Sequence, residues 1–348
     1  MIFKKPLLLL VAIAGCFYTC TKDEFEGPSI ERLYGDFRII DSLRLTNINP
    51  NFSIGDKVGF YCKFNKEVNW KISIEGENSN SLKELSGFSS TIDSNTITWT
   101  GNTSNVPFFK EEKCKINLTI EDEVASLKDS LNIAGIKIYD GILVADFENG
   151  IEDALVSWTT NIGLKTFEVA DDNPLSGNNY FQMGGKVNWD WVLGKIDFKC
   201  DLSTVNVPAD KLFINIGILS DTIDAHLGQF INILISESDA PFNNNLENNG
   251  ADIFDADEEV YKLKVPIDWD GWKLKSFSYD DFEAISPNST DINFNKNPKD
   301  IKGIRISSLA CPSSGNNPSN CTENFNKIVR TDIDYLIFTE NVKLLDQE

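Results

Sequence analysis

Histidine is almost missing from this chain: of 348 residues, only His226 is one. Multi-histidine metal centres are excluded with it. One histidine would be enough for a catalytic triad, but no Gly-x-Ser-x-Gly elbow supplies the nucleophile. Walker loops and dinucleotide fingerprints are absent too. Basic residues are scarce beside acidic ones, 32 Lys and Arg against 53 Asp and Glu, for a formal charge of −21. Nucleic-acid phosphates and the face of an anionic membrane would repel such a body. No apolar run reaches the roughly 20 residues that a membrane-spanning helix needs. No repeat of roughly 20–50 residues is evident, which removes solenoids and propellers.

The amino terminus is the most informative segment present. Met1 to Lys5 carries two positive charges, Pro6 to Ala14 is apolar, and Ile13-Ala14-Gly15-Cys16 follows. A basic head, a short apolar stretch and small residues at the cut predict a secretory signal. Ile-Ala-Gly-Cys resembles the lipobox of bacterial lipoproteins, whose cysteine is acylated before cleavage. Four residues on, Cys20 is preceded by the less suitable Tyr18 and Thr19 but followed by Thr21-Lys22-Asp23-Glu24. That arrangement resembles the surface-export tag of Bacteroidetes lipoproteins. Lipidation is therefore assigned to Cys16, with Cys20 as the alternative, and a plain signal peptide is the bland reading. The resemblance implies an outer-membrane protein facing the exterior, held to the membrane only through its lipid.

Residues 1–20 are thus set aside as signal and lipidation region, and 21–33, charged and containing Gly27-Pro28, read as a tether. About 330 residues remain, more than one core usually holds, which predicts two domains. Apolar residues make up 41% of the chain, with 7 Trp and 23 Phe, enough for packed cores. From 34 to 138 short alternating segments are separated by turns, with strands predicted at Lys57–Phe64, Asn69–Glu75, Thr96–Thr100 and Cys114–Glu121. A second series starts at Gly141–Glu148 and runs towards 345. It includes Lys211–Leu219, Gln229–Ser236, Val260–Val265, Gly303–Ser307 and Ile333–Thr339, separated by polar loops. The expectation is all-β: a β-sandwich over 34–138 and a larger jelly roll over 139–345, joined near Gly135 to Asp140.

Exported proteins fold where disulfides persist, so the remaining cysteines are read as candidate pairs. Cys62 shares a strand face with Val58, Phe60 and Phe64, and Cys114 shares one with Ile116, Leu118 and Ile120. Both thiols then point to buried faces, as an inter-sheet bridge requires; two buried free thiols are the alternative. Cys311 and Cys321 flank a polar loop and would staple it, leaving Cys200 over. Trp70 lies between Cys62 and Cys114 in sequence, an order that resembles an immunoglobulin-like domain in architecture, though Cys62 to Trp70 is a short spacing. Trp70 and Trp99 are both expected in the core.

Val144-Ala145-Asp146-Phe147-Glu148 at the start of the second series and Ile333-Asp334-Tyr335-Leu336-Ile337-Phe338-Thr339 at its end resemble the terminal strands of galactose-binding-like jelly rolls. That superfamily includes many carbohydrate-binding modules and accessory domains of Bacteroidetes surface lipoproteins. The resemblance implies glycan binding, and a structural calcium held by Asp146 or Glu148 together with Asp334. Calcium takes six to eight oxygens, so loop carbonyls would have to join these acids. The alternative is that the acids simply face water.

Sugar binding needs flat aromatic faces for the CH side of a pyranose, plus polar side chains for its hydroxyls. Asn188-Trp189-Asp190-Trp191 is the first candidate, because alternation projects Trp189 and Trp191 the same way and Asp190 the other. Asp268-Trp269-Asp270-Gly271-Trp272 is the second; its glycine suggests a turn that exposes one of the two indoles, and Trp269 is taken as the binding residue. Trp158 is the third. Each competes with the commoner fate of tryptophan, burial in a core. The functional expectation is a non-catalytic binder of extracellular polysaccharide or oligosaccharide, passing glycan to an outer-membrane transporter. A non-glycan adhesin or assembly protein is the alternative, followed by a polysaccharide-degrading enzyme with paired carboxylates.

Overall fold

The computed structural model describes residues 35–151, 154–160, 163–186, 192–221, 229–239, 241–242, 258–285, 295–310 and 327–347. Among these residues every element longer than a 3-10 turn is a β-strand, so the chain is all-β. Cys16, Cys20, Trp189, Asp190, Trp191, His226, Cys311 and Cys321 lie outside the described residues.

The first sheet is formed by β1 (Ile39–Leu45), β2 (Val58–Gly76), β3 (Leu82–Ile92), β4 (Thr98–Trp99), β5 (Lys113–Ile120) and β6 (Ser126–Asn132). Its axis is β2, which fuses the two strands expected at 57–64 and 69–75. The polar Asn65-Lys66-Glu67 segment between them does not end the strand. Instead the ladder to β3 shifts register between Lys63 and Val68. This break changes the neighbours of β2, which pairs with β1 through Phe60–Phe64 and with β5 through Trp70–Gly76. The alternation of β2 directs Phe60, Cys62, Phe64, Trp70, Ile72 and Ile74 into one core. Trp99 is fully buried there, edge-on to Phe52 at 4.7 Å and to Phe109 at 4.9 Å, and its Nε1 donates to the Asn102 carbonyl at 2.7 Å. Trp70 and Trp99 are core residues, as expected.

The expected Cys62–Cys114 disulfide does not form. Both cysteines are buried free thiols. They do face the core, but Cys114 pairs opposite Gly76, fourteen residues along β2 from Cys62. At roughly 3.3 Å per residue that is far beyond the roughly 6 Å Cα separation of a disulfide. Strand alternation fixes a face; it does not fix a position along it. Burial pushes the Cys62 thiol up to about 11 and the Cys114 thiol up to about 12, so neither is a reactive thiolate near neutrality.

The remaining strands build two sheets packed face to face. One has the order β15 (Gly271–Ser278), β12 (Leu212–Asp221), β18 (Ile328–Glu340), β10 (Tyr180–Lys186), β9 (Lys165–Ala170), with β7 (Ile142–Ala145) on the other half of β18. The second has the order β16 (Glu283–Ala284), β14 (Val260–Pro266), β13 (Phe230–Ser236), β17 (Gly303–Leu309), β11 (Val192–Lys199), β8 (Ala154–Thr159). The chain crosses between the sheets at β7–β8, β8–β9, β10–β11, β11–β12, β12–β13, β14–β15, β15–β16 and β17–β18, giving an antiparallel sandwich of jelly-roll type. Ile214, Ile216 and Ile218 of β12 face Ile231, Ile233 and Ile235 of β13 across the core, with Phe147, Phe181, Ile306 and Phe338 among them.

The two cores meet through a third cluster. Phe108, Tyr139, Leu175, Ile337 and Leu344 pack together, with Tyr335, Trp272 and Leu274 against them. A backbone bond from the Phe108 amide to the Leu175 carbonyl, 3.0 Å, crosses the same junction. Alkylation of the denatured, unreduced protein followed by peptide mapping is expected to recover both the Cys62 and the Cys114 peptide in alkylated form. A crosslinked pair of these peptides would contradict the register of β2 and β5.

Candidate functional site

The outer faces of the sandwich decide where a ligand can touch it. On the β14-β13-β17-β11 sheet the outward side chains of the two central strands, β13 and β17, are buried. Arg305 is buried, grips Asp197 with two bonds of 2.6 and 2.7 Å, and lies 4.6 Å from the Phe242 ring. Trp158, on β8 at the edge of this sheet, is half-buried and packs against Val192, Phe230 and Leu309. It closes a small apolar cluster.

The second tryptophan candidate is buried as well. Trp269 is 5% exposed, donates its Nε1 to the Ile218 carbonyl at 3.4 Å, and has the Lys275 ammonium 4.5 Å from its ring centre. Only one of the neighbouring pair reaches the surface, and it is Trp272, not Trp269. Gly271 sits at φ +77° and turns the chain between them, so the two rings leave on different sides. Trp272, the second residue of β15, then pairs opposite Leu219.

Trp272 is half-buried, like Trp158, but lies on the outer face of the β15-β12-β18-β10 sheet, and a polar network lies beside it. Its Nε1 donates to the Asn173 carbonyl at 2.6 Å, and its ring meets Tyr180 edge-on at 5.6 Å and 88°. The Tyr180 hydroxyl donates to Asp172 and accepts from Arg330 Nη2 at 2.7 Å. Arg330 also donates from Nε and Nη2 to Asp332 Oδ2 at 2.9 and 2.6 Å. With its amide oriented oxygen-first toward the guanidinium, Gln182 accepts from Arg330 Nε and Nη2, each at 3.1 Å. Asp332 Oδ1 accepts the Met183 amide at 2.9 Å. The result is one aromatic plate next to a guanidinium, an amide and carboxylates held in fixed orientations.

Burial sets the protonation of this network. It pushes the Asp332 carboxyl up to about 6 against the opposing pull of Arg330, and it holds the Tyr180 hydroxyl well above its usual range, with help from Asp172. Tyr180 therefore remains a hydroxyl at neutral pH, able both to donate and to accept.

The acids expected to hold calcium are close by, and they have another task. Asp334 Oδ2 accepts the Leu175 and Ser176 amides, both at 2.9 Å. Glu148 Oε1 accepts the Asn178 and Asn179 amides at 2.7 and 2.8 Å, and its Oε2 takes Asn178 Nδ2 at 3.1 Å. Asp146 Oδ1 accepts the Glu148 amide at 3.1 Å. Asp334 and Glu148 thus clamp the 175–179 stretch through its backbone amides, while Asp146 holds the Glu148 amide. One buried oxygen, Asp334 Oδ1, has no hydrogen-bond partner, and burial raises that carboxyl well above the usual carboxylate range. Among the described residues no three His, Cys, Asp or Glu side chains converge as metal ligands, so a calcium here would rest on the Asp334 Oδ1 oxygen and on loop carbonyls.

Tyr180, Gln182, Arg330 and Asp332 were not selected from sequence. They come from two strands far apart in the chain, and alternation along β10 and β18 marks only their outward direction. In the sequence only the Asp268–Trp272 segment marks this face.

No protein-family model matches the chain, and no curated protein matches it. Among solved structures, the tandem CBM22-1–CBM22-2 domain of Paenibacillus barcinonensis Xyn10C is 10% identical, with a TM-score of 0.34 over 88% of this chain and 93% of that one. SGBP-B from a complex xyloglucan utilization locus in Bacteroides uniformis is 12% identical, with a TM-score of 0.35 over 86% of this chain and 72% of that one. The surface glycan-binding protein PbSGBP-B of Prevotella bryantii is 12% identical, with a TM-score of 0.33 over 88% and 77%. With scores this low, function has to be argued from the chain's own residues.

Two outcomes are expected. Thermal unfolding in excess CaCl2 and in EDTA gives the same Tm, whereas a shift of several degrees would restore the calcium site. The second concerns pH. A carboxyl whose folded pKa is raised holds a proton that the unfolded chain has already released, so folding is favoured as pH falls. Asp332, up to about 6, and Glu237, pushed up to about 7 by burial, thus cost stability as pH rises from about 4 through these values. Asp332→Asn removes its share, and the Tm of the variant is expected to depend less steeply on pH between about 4 and 6.

Proposed function

We propose that this protein is a non-catalytic glycan-binding protein whose contact surface is the outer face around Trp272. The observation that carries this reading is the pinned indole beside Arg330. Trp272 offers an apolar plate for the CH face of a pyranose, and Gln182, Arg330 and Asp172 offer donors and acceptors for its hydroxyls. None of these groups has to be ordered on binding, which lowers the entropic cost of a shallow site. The Arg330 charge is balanced by Asp332, so the face suits a neutral polyol better than an isolated ion. The amino-terminal lipobox-like segment complements this reading. Lipid on Cys16 or Cys20 would tether the chain to the outer membrane, and the first sandwich would hold the jelly roll away from it. A weak site on a crowded surface gains from multivalency, and a neighbouring glycan transporter is the natural recipient.

The test is a panel of soluble xylan, xyloglucan, mannan, cellulose derivatives and agarose in affinity electrophoresis, with reducing-sugar release followed in the same samples. Retardation by at least one polysaccharide without release of reducing ends is expected. Trp272→Ala should abolish retardation, and Arg330→Lys should weaken it about tenfold, because the planar fork is lost while the charge remains. Trp158→Ala should leave retardation unchanged. Retardation that survives Trp272→Ala would move the site elsewhere, and release of reducing ends would make the protein an enzyme.

A further inference from the structure

A cleft of about 540 Å³ opens where the first sandwich meets the second, a size at which small ligands are commonly held. One wall comes from Phe108, Lys110 and the 136–139 segment, the other from β7, Asp146, Glu148, Ser176–Asn178 and Tyr335. Large apolar side chains are left in water along it: Ile138 is 69% exposed, Leu143 47% and Ile136 38%. Ammonium and carboxylate groups alternate with them. Lys137 Nζ donates to Thr100 Oγ1 at 3.2 Å and lies 5.7 Å from the Tyr139 ring centre, while Asp146, Glu148 and Glu111 face the same space. Apolar edges interleaved with donors and acceptors of both signs suit an uncharged amphipathic chain, not a cation or an anion.

The cleft adjoins the face around Trp272. The 172–179 loop is the partition: Asp172 and Asn173 touch Tyr180 and Trp272 on one side, and Ser176 to Asn178 line the cleft on the other. Beneath the loop one apolar cluster runs from Trp272 through Leu175 and Tyr335 to Tyr139 and Phe108. Two carboxylates hold the partition rigid, so both sides keep their positions relative to each other.

We propose that this inter-sandwich cleft is a second subsite for the same glycan, reached across the 172–179 loop, so that the ligand is an extended oligosaccharide and the first sandwich takes part in binding it. This inference rests on the reading of Trp272 as a sugar-binding residue. Its consequence is a dependence of affinity on chain length that one jelly-roll face alone would not give.

Isothermal titration of the protein with a length series, disaccharide to octasaccharide, of whichever polysaccharide is bound provides the test. Affinity is expected to rise steeply once the chain is long enough to cross the loop. Ile138→Ser/Leu143→Ser replaces two exposed side chains, so its Tm should match that of the unaltered protein. It should bind octasaccharide about tenfold more weakly and the shortest bound oligosaccharide equally well. Trp272→Ala should weaken every length. Unchanged octasaccharide affinity in the double variant overturns the second subsite while leaving the Trp272 site in place. Equal weakening at all lengths also overturns it, because the cleft residues would then act on the first site. If Trp272→Ala binds every length normally, the reading of that site fails, and this inference fails with it.

Discussion

Two carboxylates holding one loop are the constraint on which the functional end of this protein depends. Asp334, on the closing strand of the jelly roll, and Glu148, just beyond its opening strand, together accept four backbone amides of the 175–179 stretch. An intramolecular hydrogen bond contributes about 0.5–1.5 kcal/mol net, whereas a buried amide left unpaired costs about 1–3 kcal/mol. The loop has no strand to pair with, so its amides would otherwise be left without partners in a crowded junction. Gly177 makes the approach feasible: it sits at φ +54°, and a Cβ there would stand 2.4 Å from Glu148 Oε1.

From that clamp the rest follows by contact. The Asn173 carbonyl orients Trp272, Asp172 orients the Tyr180 hydroxyl, and Tyr180 helps to hold Arg330. On the other side Leu175 enters the cluster that joins the two sandwiches, and its carbonyl receives the Phe108 amide. The carboxylates that resemble a calcium site in sequence thus hold the backbone amides of this loop.

The two outer faces of the jelly roll illustrate how burial sorts residues of the same type. Arg305 and Arg330 each face outward from a strand and each pair with an aspartate. Arg305 is covered and lies under Phe242, whereas Arg330 stays partly open beside Trp272. Likewise Trp269 and Trp272 are three residues apart, yet one lies under lysine side chains and the other at the surface. Glycine at 271 makes that separation, and its effect on the two rings depends on which sheet receives β15.

By itself the sequence determined the periodic features: an all-β chain, alternating faces on β2 and β5, and core positions for Trp70 and Trp99. Those properties are local, because side-chain direction along a strand repeats every two residues whatever the partner strand is. It also limited the surface indole of the Asp268–Trp272 segment to one of two. Tertiary structure alone decided the rest. It set Cys62 and Cys114 fourteen positions out of register, turned Trp269 inward, gave Asp146, Glu148 and Asp334 amides to hold, and gathered Tyr180, Gln182 and Arg330 around Trp272. Each of these depends on strand register and on which segments meet, and register is a property of pairs of strands that no single strand's pattern contains.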